Sequence, residues 1–306
     1  MIESLGTKVK GTFDISVQRG SGELEIISED AENILLNSFF DLWLQATVPS
    51  TTHNISIYVG TGTEAPHVAQ TTLGNFVSSA GANVTQPAGT HDAGTNIFTL
   101  KSIYVAEWAT GSVLGNLTEL GLSFGNLPNG EVHTRALIKD VGGNPTTLTL
   151  TATDKLIITY TLTFYLNLAP TSQVLNVNGT DHTFEINPMI YRYISLSTIL
   201  GTPPSRCHAM YTAAKPVLAS GIPSGAGGVG QVSRISDPIN KVIKQKFTVP
   251  TGTGNYTNGL NLISFTDFSH SSFTANGPWF VWIDPPIPKT ADQEFDIELS
   301  YPMARA

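Results

Sequence analysis

A mainly β protein, made of two antiparallel sandwich-like or jelly-roll-like domains with one short N-terminal helix, is the fold class this sequence predicts. Three observations lead there. The first is the stretch KLIITYTLTFYL, Lys155 to Leu166. From Ile158 on, Ile158, Tyr160, Leu162, Phe164 and Leu166 share one side, and Thr159, Thr161, Thr163 and Tyr165 the other. That is the period-two signature of a strand with two unlike faces. The second is a weaker copy near the C-terminus, where Phe295, Ile297, Leu299 and Tyr301 alternate with Asp296, Glu298 and Ser300. The third is the punctuation of the rest: short alternating runs between Gly, Pro and Asn turn signals, with almost no helical periodicity. Each of the two best strands closes a unit, which divides the chain into domains 1–168 and 169–306.

In chain order, Val9, Phe13, Ile15 and Val17 form a first strand, RGSG at Arg19 to Gly22 a turn, and Leu24 to Ile27 the hairpin partner. A helix is expected near 30–45. Ser28, Asp30 and Glu32 supply its capping and acidic groups, and Leu35, Leu36, Phe39, Phe40 and Trp43 recur at helical spacing before Pro49. Ile55, Ile57 and Val59 give another strand. Residues 78–95, rich in Gly, Ala, Asn and Thr, read as a projecting loop. Strands resume at 97–108, 117–124 and 132–138, with Asn129-Gly130 at a bend. Beyond Ala169 six prolines punctuate the chain as far as Pro223, and Gly221 to Gly230 is flexible by composition. Short strands fit Val174 to Val177 and Met189 to Ile194, whereas Ser195 to Leu200 is ambiguous. Clear β-runs return at Ile243 to Val249, Leu260 to Phe265 and Trp279 to Ile283. LSF at 122–124 and ISF at 263–265 each precede a final alternating strand by a similar distance, which raises a duplication as one possibility.

Composition excludes several function classes. With 16 Lys and Arg against 24 Asp and Glu, the chain carries a formal net charge of -8, which repels duplex nucleic acid. One cysteine, Cys207, rules out an intrachain disulfide framework and any multi-cysteine metal site. The start MIESLGTKVKG lacks the apolar segment of a signal peptide, and no apolar run is long enough to span a bilayer. Folding in a cytosol and no membrane insertion are therefore expected, and the five Asn-X-Ser/Thr triplets are background. Only 13% of residues are charged, about half of the roughly 25% usual for soluble domains. Charge commonly guards sheet edges. Edges in this protein are expected to be closed or occupied by partner chains.

Two patterns resemble chemistry. Gly121-Leu122-Ser123-Phe124-Gly125 matches the nucleophile elbow G-x-S-x-G, but an elbow needs a helix directly after the serine, and Asn126 to Gly130 is a turn. His133, His182 and several aspartates would be the imaginable partners of Ser123. Gly225 to Gly230 matches a dinucleotide fingerprint without the preceding strand and following helix that would aim N–H groups at a pyrophosphate. The histidines (His53, His67, His91, His133, His182, His208 and His270) never pair at ligand spacing, and adjacent Cys207 and His208 would face opposite ways in a strand. Trp279, Phe280 and Trp282 suit a core or interface better than a sugar-stacking shelf. No catalytic residue, cofactor or metal ligand is assigned, and no enzyme is expected.

The run from Leu117 to Leu166, with its E-h-G step at Glu119 and Gly121, RALI at Arg135 to Ile138 and GGNPTT across 142–147, resembles a segment of structural proteins of tailed-bacteriophage virions. ENILLNSFFDLW, Glu32 to Trp43, is similar to the helix preceding that block in such proteins. The resemblance covers roughly the first 166 residues. It implies a virion subunit of the tail, neck or fibre base, made in the bacterial host cytoplasm, and brings no catalytic residues with it. Implied partners are copies of itself and other virion proteins. A receptor- or carbohydrate-binding fibre tip that takes a host-surface glycan or receptor is one alternative, and a capsid decoration or head-fibre protein another.

Overall fold

The computed structural model describes residues 2–3, 7–44, 55–125, 127, 130–188, 206–211, 215, 228–237, 239–253, 255–266 and 279–306. In chain order the first part contains β1 (Ile2–Glu3), β2 (Thr7–Gln18), β3 (Leu24–Glu32), β4 (Ile34–Leu35), α1 (Asn37–Leu44), β5 (Ile55–Gly60), β6 (Phe76–Thr85), β7 (Thr90–Asp92), β8 (Ile97–Glu107), β9 (Gly115–Leu117), β10 (Glu119–Phe124), β11 (Thr134–Leu137), β12 (Leu148–Leu150) and β13 (Lys155–Asn167). The second contains β14 (Thr171–Val177), β15 (Thr180–Pro188), β16 (Arg206–Met210), β17 (Gly228–Asp237), β18 (Val242–Val249), β19 (Leu260–Thr266), β20 (Trp279–Ile287) and β21 (Phe295–Arg305). The protein is mainly β, its sheets are antiparallel except at two short contacts, and α1 is the one α-helix among the described residues.

The alternation along β13 does what its chemistry demands. Leu156, Ile158, Tyr160, Leu162, Phe164 and Leu166 are buried, and the strand is flanked on both sides. β2 pairs with it from Lys155↔Gln18 to Leu166↔Thr7, and β8 from Ile157↔Glu107 to Asn167↔Ile97.

Two strands then carry the sheet around. The C-terminal part of β6 pairs with β8, and its N-terminal part with β5. β5 pairs with β10, β10 with β11, and β11 with β4. β4 continues β3 after Asn33, and β3 pairs with β2. The circuit closes, so this part is a nearly closed, barrel-like sheet. At its tightest corner Asn33 donates its backbone N–H to Gly11 O (3.2 Å) and its side-chain amide to the Tyr160 hydroxyl (3.1 Å). A Cβ on Gly11 would lie 2.1 Å from that hydroxyl, so the approach requires glycine.

Three expectations change. The helix occupies Asn37–Leu44 only, because Ser28, Asp30 and Glu32 belong to β3. That strand survives its own acidic helix-start signal by pairing with β2 through register shifts, and Asp14 accepts the N–H of Asp30, which stands at φ 46. Leu35 is in β4, so its helical spacing with Phe39 joins two successive elements. The expected loop 78–95 is largely strand. Ala80, Ala82 and Val84 of β6 pack inward, but such small side chains give a weak period-two signal.

The strands are also not segregated into two separate sandwiches. β14, β15, β20, β19, β16, β17, β18 and β21 follow one another in a second antiparallel series. The end of β21 then joins β2 in parallel, Thr7↔Met303 to Val9↔Arg305, and β1 pairs in parallel with the middle of β21. One contiguous apolar cluster runs from Val9 and Phe13 through β13 to Phe247, Ile283 and Leu299. The expected strand at 189–194 and the ambiguous 195–200 lie outside the described residues.

Candidate functional site

A buried polar cluster lies between β10, β11 and the connection from β5 to β6. Glu119 and Arg135 are both fully buried. Glu119 Oε1 accepts the N–H groups of Gly62 (2.7 Å) and Asn75 (2.8 Å), and Oε2 accepts that of Gly74 (3.0 Å). Arg135 Nε donates to the same Oε2 at 2.8 Å, with Nη2 2.7 Å away, and Nη1 donates to Gln70 Oε1 at 2.7 Å. A Cβ on Gly62 would meet Oε1 at 2.4 Å, and one on Gly60 at 2.7 Å, so backbone rather than side chain forms the cradle. Burial penalises the charge. The N–H groups of Asn75 and Gly74, the guanidinium and the Gly62 N–H outweigh it and hold the carboxyl below its ordinary range. With its oxygens spent on four donor groups, the carboxylate is a clamp on the loop 61–75, with little capacity left to take a substrate proton.

Alongside it, β11 leaves β10 to reach β4, and side chains replace the missing ladder. Thr134 Oγ1 accepts the Leu122 N–H (3.0 Å), and His133 Nδ1 accepts the Phe124 N–H (3.1 Å). His133 therefore carries its proton on Nε2 when neutral. Burial lowers its pKa to about 4. Ser123, the serine of the elbow-like motif, sits within β10 with its side chain fully buried and its hydroxyl directed at Gly125 O (3.4 Å). The structure does not join it to either imagined histidine. His133 turns Nδ1 to the backbone, and His182, on β15, donates from Nδ1 to Pro285 O at 2.6 Å.

The other sequence candidates scatter. Gly228 to Gly230 open β17 and pair with β16, which contains Cys207 and His208, while 221–227 lie outside the described residues. Phe280 is buried and Trp282 half-buried; with Leu262 and Tyr256 they form a small apolar cluster apart from the main core. Among the described residues no three His, Cys, Asp or Glu come together as a metal site, and no helix is long and apolar enough to cross a membrane.

Two polar centres escape a reading by motif. One is the Glu119–Arg135 pair, whose members are 16 residues apart; its one signal is charge inside strands of a charge-poor chain. The other is Lys289, buried, with Nζ donating to Thr253 O (2.6 Å), Pro250 O (3.1 Å) and Asn255 Oδ1 (3.1 Å). Burial lowers its pKa against the pull of Asp292 and Glu294. Its partners are neutral, so it ties a turn together. No family model, curated protein or solved structure matches the chain.

Two predictions follow from this geometry. Arg135→Met leaves Glu119 its three N–H donors and should cost about 3–5 kcal/mol, the usual range for breaking a buried pair. Glu119→Leu strands those donors as well as the guanidinium and should cost more. Urea denaturation of both variants checks the order, and equal costs would refute the clamp. For His133 the folded-state pKa is depressed, so folding favours the neutral ring. Its contribution is fully present above the unfolded value near 6.5 and is lost as pH falls towards 4. The loss is on the order of 3 kcal/mol at about 1.4 kcal/mol per unit. Stability measured across this window should fall less steeply in His133→Asn than in the wild type.

Proposed function

We propose that this protein is a structural subunit of a tailed-bacteriophage virion, at the tail, neck or fibre base, acting through homo-oligomerisation and contact with other virion proteins. Residues 1–168 and 169–306 serve as its two β units. The observation that carries the reading is a division of labour among side chains. Glu119, Arg135, Ser123, His133, His182 and Lys289 are buried, and their polar atoms are turned to backbone and to neighbouring side chains of the chain itself. Apolar side chains stand on exposed strands instead: Leu24 and Ile26 on β3, Val174 on β14 and Ile235 on β17. The segment resembling phage structural proteins supports it further, since Glu119, Gly121 and Arg135 have architectural roles. A Cβ on Gly121 would lie 2.4 Å from Thr134 O, where β10 and β11 separate.

Light scattering on the purified chain should give a multiple of 32.7 kDa, and mass spectrometry of purified phage particles should find the protein. A persistent monomer that is absent from particles overturns the proposal. A second reading, a glycan- or receptor-binding tip, is favoured by the half-buried Trp282 beside Tyr256. It requires that host-cell or glycan binding by the intact oligomer weaken in Trp282→Ala while the fold is kept.

A further inference from the structure

The edges of the sheet are guarded unequally. The outer strand β3 is flanked and occupied by Glu23, Glu25, Glu29, Asp30 and Glu32, and its register with β2 shifts twice. Charges and bulges of this kind oppose pairing with a second chain. β14, TSQVLNV, has neither. It pairs with β15 in unbroken register from Thr171↔Ile186 to Val177↔Thr180, and among the described residues it has no second partner strand. Ser172, Gln173, Val174 and Asn176 are exposed, Val174 to 58%. On the inward side Leu175 and Val177 are only partly covered although they pack against the main core. The last strand of a sheet is thus regular, uncharged and incompletely roofed.

The carboxylates next to it are already engaged. Asp181 accepts from Asn176 Nδ2 at 2.7 Å, and Glu185 is ion-paired with Lys215. A two-fold axis through Val174 would place Val174 on Val174, Gln173 on Leu175, Ser172 on Asn176 and Thr171 on Val177. No charge meets its like within the paired strands, and the partly covered Leu175 and Val177 rows of the two copies would continue one another. Unpaired backbone N–H and C=O groups along such an edge are best satisfied by another strand. We infer that β14 pairs antiparallel with β14 of a second copy about a two-fold axis at Val174, and that this seam is one of the contacts by which the chain assembles. The inference rests on the homo-oligomer reading above and names the surface it uses.

Two variants test it. In Val174→Lys two ammonium groups would face each other across the axis, so the oligomer should fall by half or more in mass while circular dichroism and the thermal midpoint hold, because Val174 is exposed. In Val174→Cys, made in a Cys207→Ser background, paired strands hold the two Cα atoms about 4.5–5.5 Å apart, within disulfide reach. Mild oxidation should give a covalent dimer on a non-reducing gel. If the wild type is oligomeric but either variant fails to behave so, the β14 seam is wrong and the assembly reading stands. If the wild type stays monomeric at high concentration, the β14 seam falls, and the virion reading falls with it when the protein is also absent from purified particles.

Discussion

A strand at the border of a sheet carries one row of backbone N–H and C=O groups that something must satisfy, and the architecture depends on how that requirement is met. With so few charged residues the chain has little means of guarding an open border electrostatically. Its first part closes instead. β6 leaves one sheet for the other beyond Gly81, and β3 passes into β4 at Asn33, where Gly11 lets Tyr160 and Asn33 meet. Where β3 turns away, the edge of β2 beyond Thr12 would be bare, and β21 fills it. Ala306 N–H reaches Val9 O at 2.9 Å, and Arg305 Nε donates to Leu35 O at 2.8 Å with its guanidinium 4.8 Å from the centre of the Phe40 ring. The last residues of the chain therefore complete the wall that its first residues begin.

Closure by strands leaves the connection 61–75 to be held by other means. Apart from one antiparallel bridge, Thr72↔Glu131, and the bond from Thr61 N–H to Asn75 O, that segment has little ladder to satisfy its backbone. The Glu119 carboxylate supplies an acceptor for three of its N–H groups, and Arg135 supplies the countercharge and a bond to Gln70. A buried pair of this kind adds little net stability over a well-packed apolar pair, since desolvation offsets most of the attraction. What it adds is position, because the carboxylate fits only where the glycines at 60, 62 and 74 bring backbone close to it.

Strands with large alternating residues were legible in the sequence. Tyr160, Leu162 and Phe164 reveal β13, and the spacing of Ile297 and Leu299 reveals the core of β21. β6 was not, since Ala80, Gly81 and Ala82 carry almost no amphipathic signal and its pairing is fixed by two different neighbours. The helix boundary was misplaced because Ser28, Asp30 and Glu32 are good first-turn residues locally, while the register with β2 is a tertiary fact. The same holds for Glu119 and Arg135. Each reads as an isolated charge in an apolar strand, and what joins them is the antiparallel pairing of Leu120 with Ala136 together with a distant loop. The G-x-S-x-G pattern is local in the converse sense, since it is met as well by Ser123 next to last in strand β10 with its side chain buried.

The outward face of β13 links composition to the proposed assembly. Thr159 and Thr161, half-buried, and Thr163, buried, stand beside Asp14, Thr12 and Lys10 of β2 on one flank and Val105, Ile103 and Lys101 of β8 on the other. Threonine has one restricted χ1 and a small volume, so cross-strand neighbours already hold it in place. Covering a long Lys or Glu side chain at an interface forfeits up to about 2 kcal/mol of rotamer freedom, a penalty that such short, preordered side chains largely avoid. A surface made of them gives up the long-range repulsion that keeps chains apart and pays little entropy when another chain covers it. Low charge, threonine ladders and, among the described residues, one regular, uncharged border at β14 belong together in the proposed assembly, which assigns contact with like molecules to β14 because the border at β3 is acidic and bulged.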